Sequence, residues 1–192
     1  MARTKEFDTH DVLDKAVHLF WCKGYNGASM QEVVDELDLS RSSIYDTFGD
    51  KHQLYIEALK KYRRDMTGLV VETLRASADA KAGIKAIFDS NIHACLNDHA
   101  NKGCFMVNSA VELGPHDPEI AALVKQNMHD MEAAFAETIE RGQAAGQIAS
   151  THDAKALARF LFNNITGMWV ASKSGIDKQG LEDIMHIALS VI

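Results

Sequence analysis

Apolar residues return along this chain at every third or fourth position, and nowhere do they alternate with polar ones over any length. The pattern predicts helices from end to end. The first stripe is Val12, Leu13, Ala16, Val17 and Phe20, with Thr9 as the expected cap and Gly24 as the stop. Met30, Val33, Val34 and Leu37 form the next, opened by Ser29 and Glu32 at the spacing of a capping box. Asp38 then stands where the chain must reverse, a position that asks for a residue tolerant of left-handed backbone. Ser40 caps a third helix, Arg41 to Phe48, that has only Ile44 and Phe48 to bury. So poor a buried face means that its neighbours hold it, while Arg41, Ser42, Ser43, Tyr45 and Thr47 face outward.

Asp50 and Gln53 open a long fourth helix whose apolar positions, from Leu54 to Val70, carry it to about Arg75. A fifth runs from Asp79 to about Leu96, and a sixth starts at Cys104 and stops at Gly114-Pro115. Asp117-Pro118-Glu119 combines an N-cap, a proline in the first helical position and an acid in the first turn, so a seventh begins there and frays toward Gly142 or Gly146. The eighth, from Thr151 or Asp153 to about Ser172, is apolar on more than one face and must be covered on both sides. Residues 177–192 form a ninth, and these last two helices are the expected surface for a homodimer, a four-helix contact across a two-fold axis. The fold expected is all-α with nine helices: a three-helix head over residues 1–50 and a larger helical body over 51–192.

Composition agrees with that outline and narrows the chemistry. Two prolines in 192 residues argue against a turn-rich β fold. No run of about 18 uncharged apolar residues and no signal-peptide pattern occurs, so a cytoplasmic protein that enters no membrane is expected. Cys22, Cys95 and Cys104 are an odd set without CxxC spacing, which speaks against a disulfide framework or a structural zinc site. The nine histidines include no HxxxH pair on one helix, so no metal is expected, and no cofactor. Neither a useful acid/base pair, a nucleophile elbow nor a phosphate loop appears, and the chain does not read as an enzyme. The formal charge is −7, unevenly spread: residues 1–64 hold 10 Lys/Arg against 11 Asp/Glu, and residues 65–192 hold 10 against 16. The acidity belongs to the body. In the head, Arg3, Lys5, Lys15, Lys23, Arg41 and Lys51 are the cations available to a polyanion.

The run LSRSSIYDTFGDKHQLY resembles the DNA-binding signature of TetR/AcrR-family transcriptional repressors, with Tyr45 and Phe48 near-diagnostic and Lys51 opening the fourth helix. The likeness is specific over residues 9–55 and architectural beyond them. It implies a helix-turn-helix in which Arg41, Ser42 and Ser43 contact bases, while Tyr45, Thr47, Lys51 and the Ser29 end of the second helix hold phosphates. The partner implied is a palindromic double-stranded DNA operator, bound by a homodimer with half-sites roughly 34–36 Å apart or a multiple of that. Two departures stand out. The family usually has Gly where Asp38 stands, and often where Ser42 stands.

The same resemblance implies a small-molecule site in the body. Phe88, Ile92, Phe105, Met106, Met131, Phe135, Phe162 and Trp169 are the candidate apolar walls, with Asn108 among the orienting polar groups, which points to a lipophilic effector. Cys104, at a helix N-terminus with Lys102 two residues earlier, is a candidate redox or electrophile sensor, since the helix dipole favours a thiolate. The competing reading is a helical partner-binding or scaffold protein without DNA affinity, which the negative charge favours.

Overall fold

The computed structural model describes residues 7–192, which form nine helices and no strand: α1 Thr9–Gly27, α2 Met30–Leu37, α3 Arg41–Phe48, α4 Lys51–Ala76, α5 Ala80–Leu96, α6 Phe105–Glu112, α7 Pro118–Ala144, α8 Ala154–Lys173 and α9 Lys178–Leu189. Arg3 and Lys5, two of the head cations, lie outside the described residues. The starts follow local chemistry. Asp153 and Asp177 cap α8 and α9, and Asp117 takes the amides of Glu119 and Ile120 ahead of Pro118. One cap differs by a residue from the expectation: Asp8 rather than Thr9 opens α1, accepting from the His10 amide at 2.8 Å. A carboxylate satisfies that amide and also meets the positive end of the helix dipole, which the Thr9 hydroxyl cannot do. Gly24, at φ 73°, breaks α1 where the sequence placed its stop, and one further turn continues to Gly27.

Burial divides into two apolar clusters whose border is not the head–body border drawn from sequence. The first joins α1, α2 and Ile44 of α3 to the first three turns of α4, from Leu54 to Tyr62, and it also takes Phe105 and Met106 of α6 and Ile120 of α7. The second holds Leu74 of α4 with α5, the rest of α7, α8 and α9. One helix, α4, therefore belongs to both, and between its two buried ends Met66 and Leu69 are exposed. Lys61 is buried on α4 and holds Asp14 of α1 at 2.6 Å and Asp65 at 2.8 Å. Burial lowers its ammonium pKa, but the two carboxylates outweigh that and raise it on balance, so the charge persists inside the protein.

α8 shows what the monomer leaves undone. Its inner face, Leu157, Leu161, Ile165 and Met168, is buried, while Phe160 and Val170 remain 44% and 52% exposed and Ile187 of α9 remains 64% exposed. Large apolar side chains left in water on two adjoining helices are what a second copy would cover.

Candidate nucleic-acid interface and its connection to the body

The α2–α3 unit is assembled by side chains within a few residues of one another. Ser29 Oγ accepts from the Glu32 amide at 3.2 Å, and Glu32 Oε2 accepts from the Ser29 amide at 2.8 Å, completing the capping box. Lys23 of α1 pairs with the same carboxylate, and that bond first, then those from Ser29, hold Glu32 down to about 2. Asp38 adopts the left-handed conformation, φ 53° and ψ 43°, and closes α2 with its amide on the Val34 carbonyl. Ser40 Oγ accepts from the Ser43 amide at 3.1 Å and starts α3. The hydroxyls of Ser42 and Ser43 also lie 3.0 and 2.8 Å from Ser40 Oγ, so the three serines form one small network at the head of the helix.

α3 is anchored by Ile44, fully buried, with Phe48 half-buried behind it. Arg41, Ser42, Tyr45 and Asp46 are exposed; Ser43 and Thr47 are half-buried. The residues expected to face out thus share one two-turn helix and do face out or sit at its flank. Lys51 is placed differently. It is half-buried with its ammonium 4.3 Å over the Tyr25 ring, and burial lowers its pKa. Ser29 is exposed, with its hydroxyl occupied by the cap.

The head and the start of α4 are wired to α6, the loop before it and the start of α7 by bonds that local sequence patterns do not announce. Trp21 Nε1 donates to the Gly103 carbonyl at 2.8 Å. Glu112, the last residue of α6, accepts from the Tyr25 and Asn26 amides at 3.1 and 2.8 Å, next to Gly24. A Cβ on Gly24 would stand 2.7 Å from Glu112 Oε2, so the glycine is needed twice, for its positive φ and for this close approach. Deep between the helices, Tyr55 and Ser109 share a 2.8 Å hydrogen bond, which leaves Ser109 also donating to the Phe105 carbonyl. His52, in the first turn of α4, meets the carboxylate of Asp117.

With this geometry in place, the relatives are informative. The sequence profile described as bacterial regulatory proteins, tetR family, matches residues 12–58, and the one described as tetracyclin repressor-like, C-terminal domain, matches residues 80–188. The second alone spans more than half of the chain. The chain belongs to the TetR family. The HTH-type transcriptional regulator YezE of Bacillus subtilis (strain 168) is 35% identical over 100% of both chains. The HTH-type transcriptional repressor ComR of Escherichia coli (strain K12) is 29% identical over 97% of this chain and 88% of its own. Among solved structures, the TetR-family regulator CifR, as a cysteine mutant with 26-bp double-strand operator DNA, superposes with a TM-score of 0.87 at 26% identity over 98% of both chains. The all-α fold with an N-terminal helix-turn-helix head is the family's, and the chain is a transcriptional regulator.

In this TetR-family body the nine ligand-site candidates do not surround one space. Phe88, Ile92, Met131 and Phe135 are buried in the second cluster, with Phe162 and Trp169 packed against it, whereas Phe105 and Met106 are buried in the first, beside Tyr55 and Tyr62. Asn108 braces a loop: its amide donates to the Lys102 carbonyl at 2.7 Å and its oxygen accepts from Lys173 at 3.3 Å. Two surface grooves, one beside α3 and one of about 810 Å³ between α4 and α7, are lined by none of the nine. The helical period marks a residue as inward, and it does not say toward which of two cores.

Cys104 is the N-cap of α6, as the sequence placed it, but its electrostatics run the other way. Desolvation is the strongest influence and raises the thiol pKa, outweighing the amides of Val107 and Met106 and the Tyr62 hydroxyl, which donates to the sulfur at 3.8 Å. Burial thus works against the thiolate that the helix end alone would favour. Among the described residues, the metal-ligand cluster is His10, Asp11 and Asp14 on the exposed face of α1, and there Lys61 already neutralises Asp14.

Proposed function

We propose that this regulator is a homodimeric, effector-responsive repressor that occupies a palindromic DNA operator and leaves it when the body is occupied or modified. The observation that carries the reading is α3: a helix held by Ile44 and Phe48 on its inner side, with Arg41, Ser42 and Tyr45 offered to solvent, suits insertion into a major groove. In this reading Arg41, Ser42 and Ser43 meet base edges. Tyr45, Thr47, Lys51 and the Ser29 end of α2 meet phosphates, Lys51 by leaving the Tyr25 ring. CifR, of similar sequence and fold, was solved on operator DNA, which supports the same task here. Residues 1–50 read DNA, residues 51–192 receive the signal and pair the subunits through α8 and α9, and the protein acts in the cytoplasm without catalysing a reaction.

For the effector, we assign a lipophilic or electrophilic molecule. A lipophilic one would part the aromatic side chains now packed in the body, around Phe88, Ile92, Met131, Phe135, Phe162 and Trp169 in the second cluster or Phe105 and Met106 in the first. An electrophile would reach Cys104. A molecule in the first cluster or at Cys104 acts on α6, which together with the loop just before it holds α1 through Gly103 and Glu112, so that a shift of α6 re-aims the head.

DNA retention tests the reading. Affinity should fall steeply with added salt. Arg41→Ala should broaden sequence preference, and Lys51→Ala should weaken binding to all sequences alike. Retention unchanged by salt and by both substitutions would instead favour the acidic scaffold protein.

A further inference from the structure

The recognition helix carries one acid, Asp46, and its position on the helix is informative. At 100° per residue, Ile44 and Phe48 point to one side of α3, and the positions opposite them, roughly 160–200° round from Ile44, are Ser42 and Asp46. Arg41 and Tyr45 lie nearer the flank, about 60–100° from Ile44. Since the head holds α3 by its Ile44 side, the opposite pole is what goes deepest into any groove that the helix enters. Asp46 is exposed and, among the described residues, makes no ion pair or side-chain hydrogen bond. It borders an open groove of about 730 Å³ between α3 and the start of α1, where Asp8, Asp11 and Asp38 are further acids and Lys15 is the one cation. A carboxylate so placed gains nothing from phosphates.

We infer that Asp46 is a specificity-determining residue that reads cytosine, accepting a hydrogen bond from the exocyclic N4 amine in the major groove of each half-site. This rests on the repressor reading above. The base follows from donor and acceptor chemistry. A carboxylate only accepts, and guanine offers two acceptors at that edge, thymine an acceptor and a methyl group, and adenine a donor beside the N7 acceptor. Cytosine alone offers a donor without an adjoining acceptor. Ser42, one turn earlier on the same pole, is then free to adapt to the neighbouring base as donor or acceptor.

In vitro selection from a randomised duplex library, with the wild-type chain, Asp46→Asn and Asp46→Ala, tests this. Wild type should enrich a palindrome with cytosine fixed at one position in each half, preferred by about 10- to 100-fold over other bases. Asp46→Asn, which both donates and accepts, should exchange that cytosine for adenine, Asp46→Ala should lose the preference there, and both should keep the rest of the motif. If wild type enriches a motif that all three chains share unchanged, the assignment of Asp46 is overturned while the repressor reading stands. If wild type enriches no sequence at all, the repressor reading falls and takes this assignment with it.

Discussion

Glu112 shows how much can hang on a single carboxylate. It satisfies two backbone amides of the α1 terminus from 86 and 87 residues away, at a point where Gly24 leaves no room for any other side chain. Glu112→Ala removes two charge-assisted bonds and should destabilise the protein by about 1–3 kcal/mol in urea unfolding. Gly24→Ala should destabilise by a similar amount, about 1–3 kcal/mol, because alanine must hold φ 73° and its methyl meets the carboxylate. Cys104 gives a chemical prediction. Burial raises both the Cys22 and the Cys104 thiols, but Cys22 is exposed and Cys104 half-buried, so neutral-pH alkylation read by mass spectrometry should label Cys22 before Cys104, and the Cys104 rate should climb as the pH is raised. At this scale the sequence revealed what is local. Ser29 with Glu32, Asp38 and Ser40 act on residues within five positions, so their spacing states their role, whereas nothing near Glu112 or Trp21 names a partner across the fold. Cys104 was legible as a helix start, but the burial that raises its thiol pKa was not, because the spacing that locates a helix end carries no information on what covers it.

Among the helices, α7 ties chemistry to acidity. Asp117 at its start and Asp130 in its middle are each partly desolvated, which raises a carboxyl, but hydrogen bonds prevail: His52 with the Ile120 and Glu119 amides for Asp117, and Gln126 with Arg63 for Asp130. Both end below the ordinary aspartate value of 3.8. A carboxyl lowered in the folded state gives stability that is complete above its unfolded value and is lost as pH falls through the folded one. Thermal unfolding between pH 2 and 7 should therefore show a midpoint that begins to drop near pH 4, and Asp117→Asn should have a lower plateau with a shallower drop. The helix starts were legible to within a residue because nearly every helix has its own cap, down to the proline that opens α7, while the ends of α1 and α9 fell three residues from their expected places. What no periodicity showed is that α6, only eight residues long, is tied to the head at its end by Glu112 and just ahead of its start by Gly103.

The molecule as a whole is unfinished alone. Phe160, Val170 and Ile187 are apolar and wet, and they sit on the two helices from which the sequence already anticipated pairing. Ile187→Glu should give a monomer in sedimentation velocity and, since a single head makes half the phosphate contacts, should abolish operator retention at physiological salt. Packing crosses the line drawn from sequence at residue 50: Tyr55, Tyr62, Phe105 and Ile120, all beyond it, complete the core under α2 and α3. Sequence patterns see an inward face, and only the folded chain shows which core receives it. The helix shared by both cores has a mechanical consequence. With 26 residues, α4 is a rod of about 39 Å, and tilting one end by about 5° carries the other through roughly 3 Å. That is close to one base-pair step, about 3.4 Å along the duplex, so repacking too slight to disturb the hydrophobic interior is enough to put two heads out of phase with their half-sites.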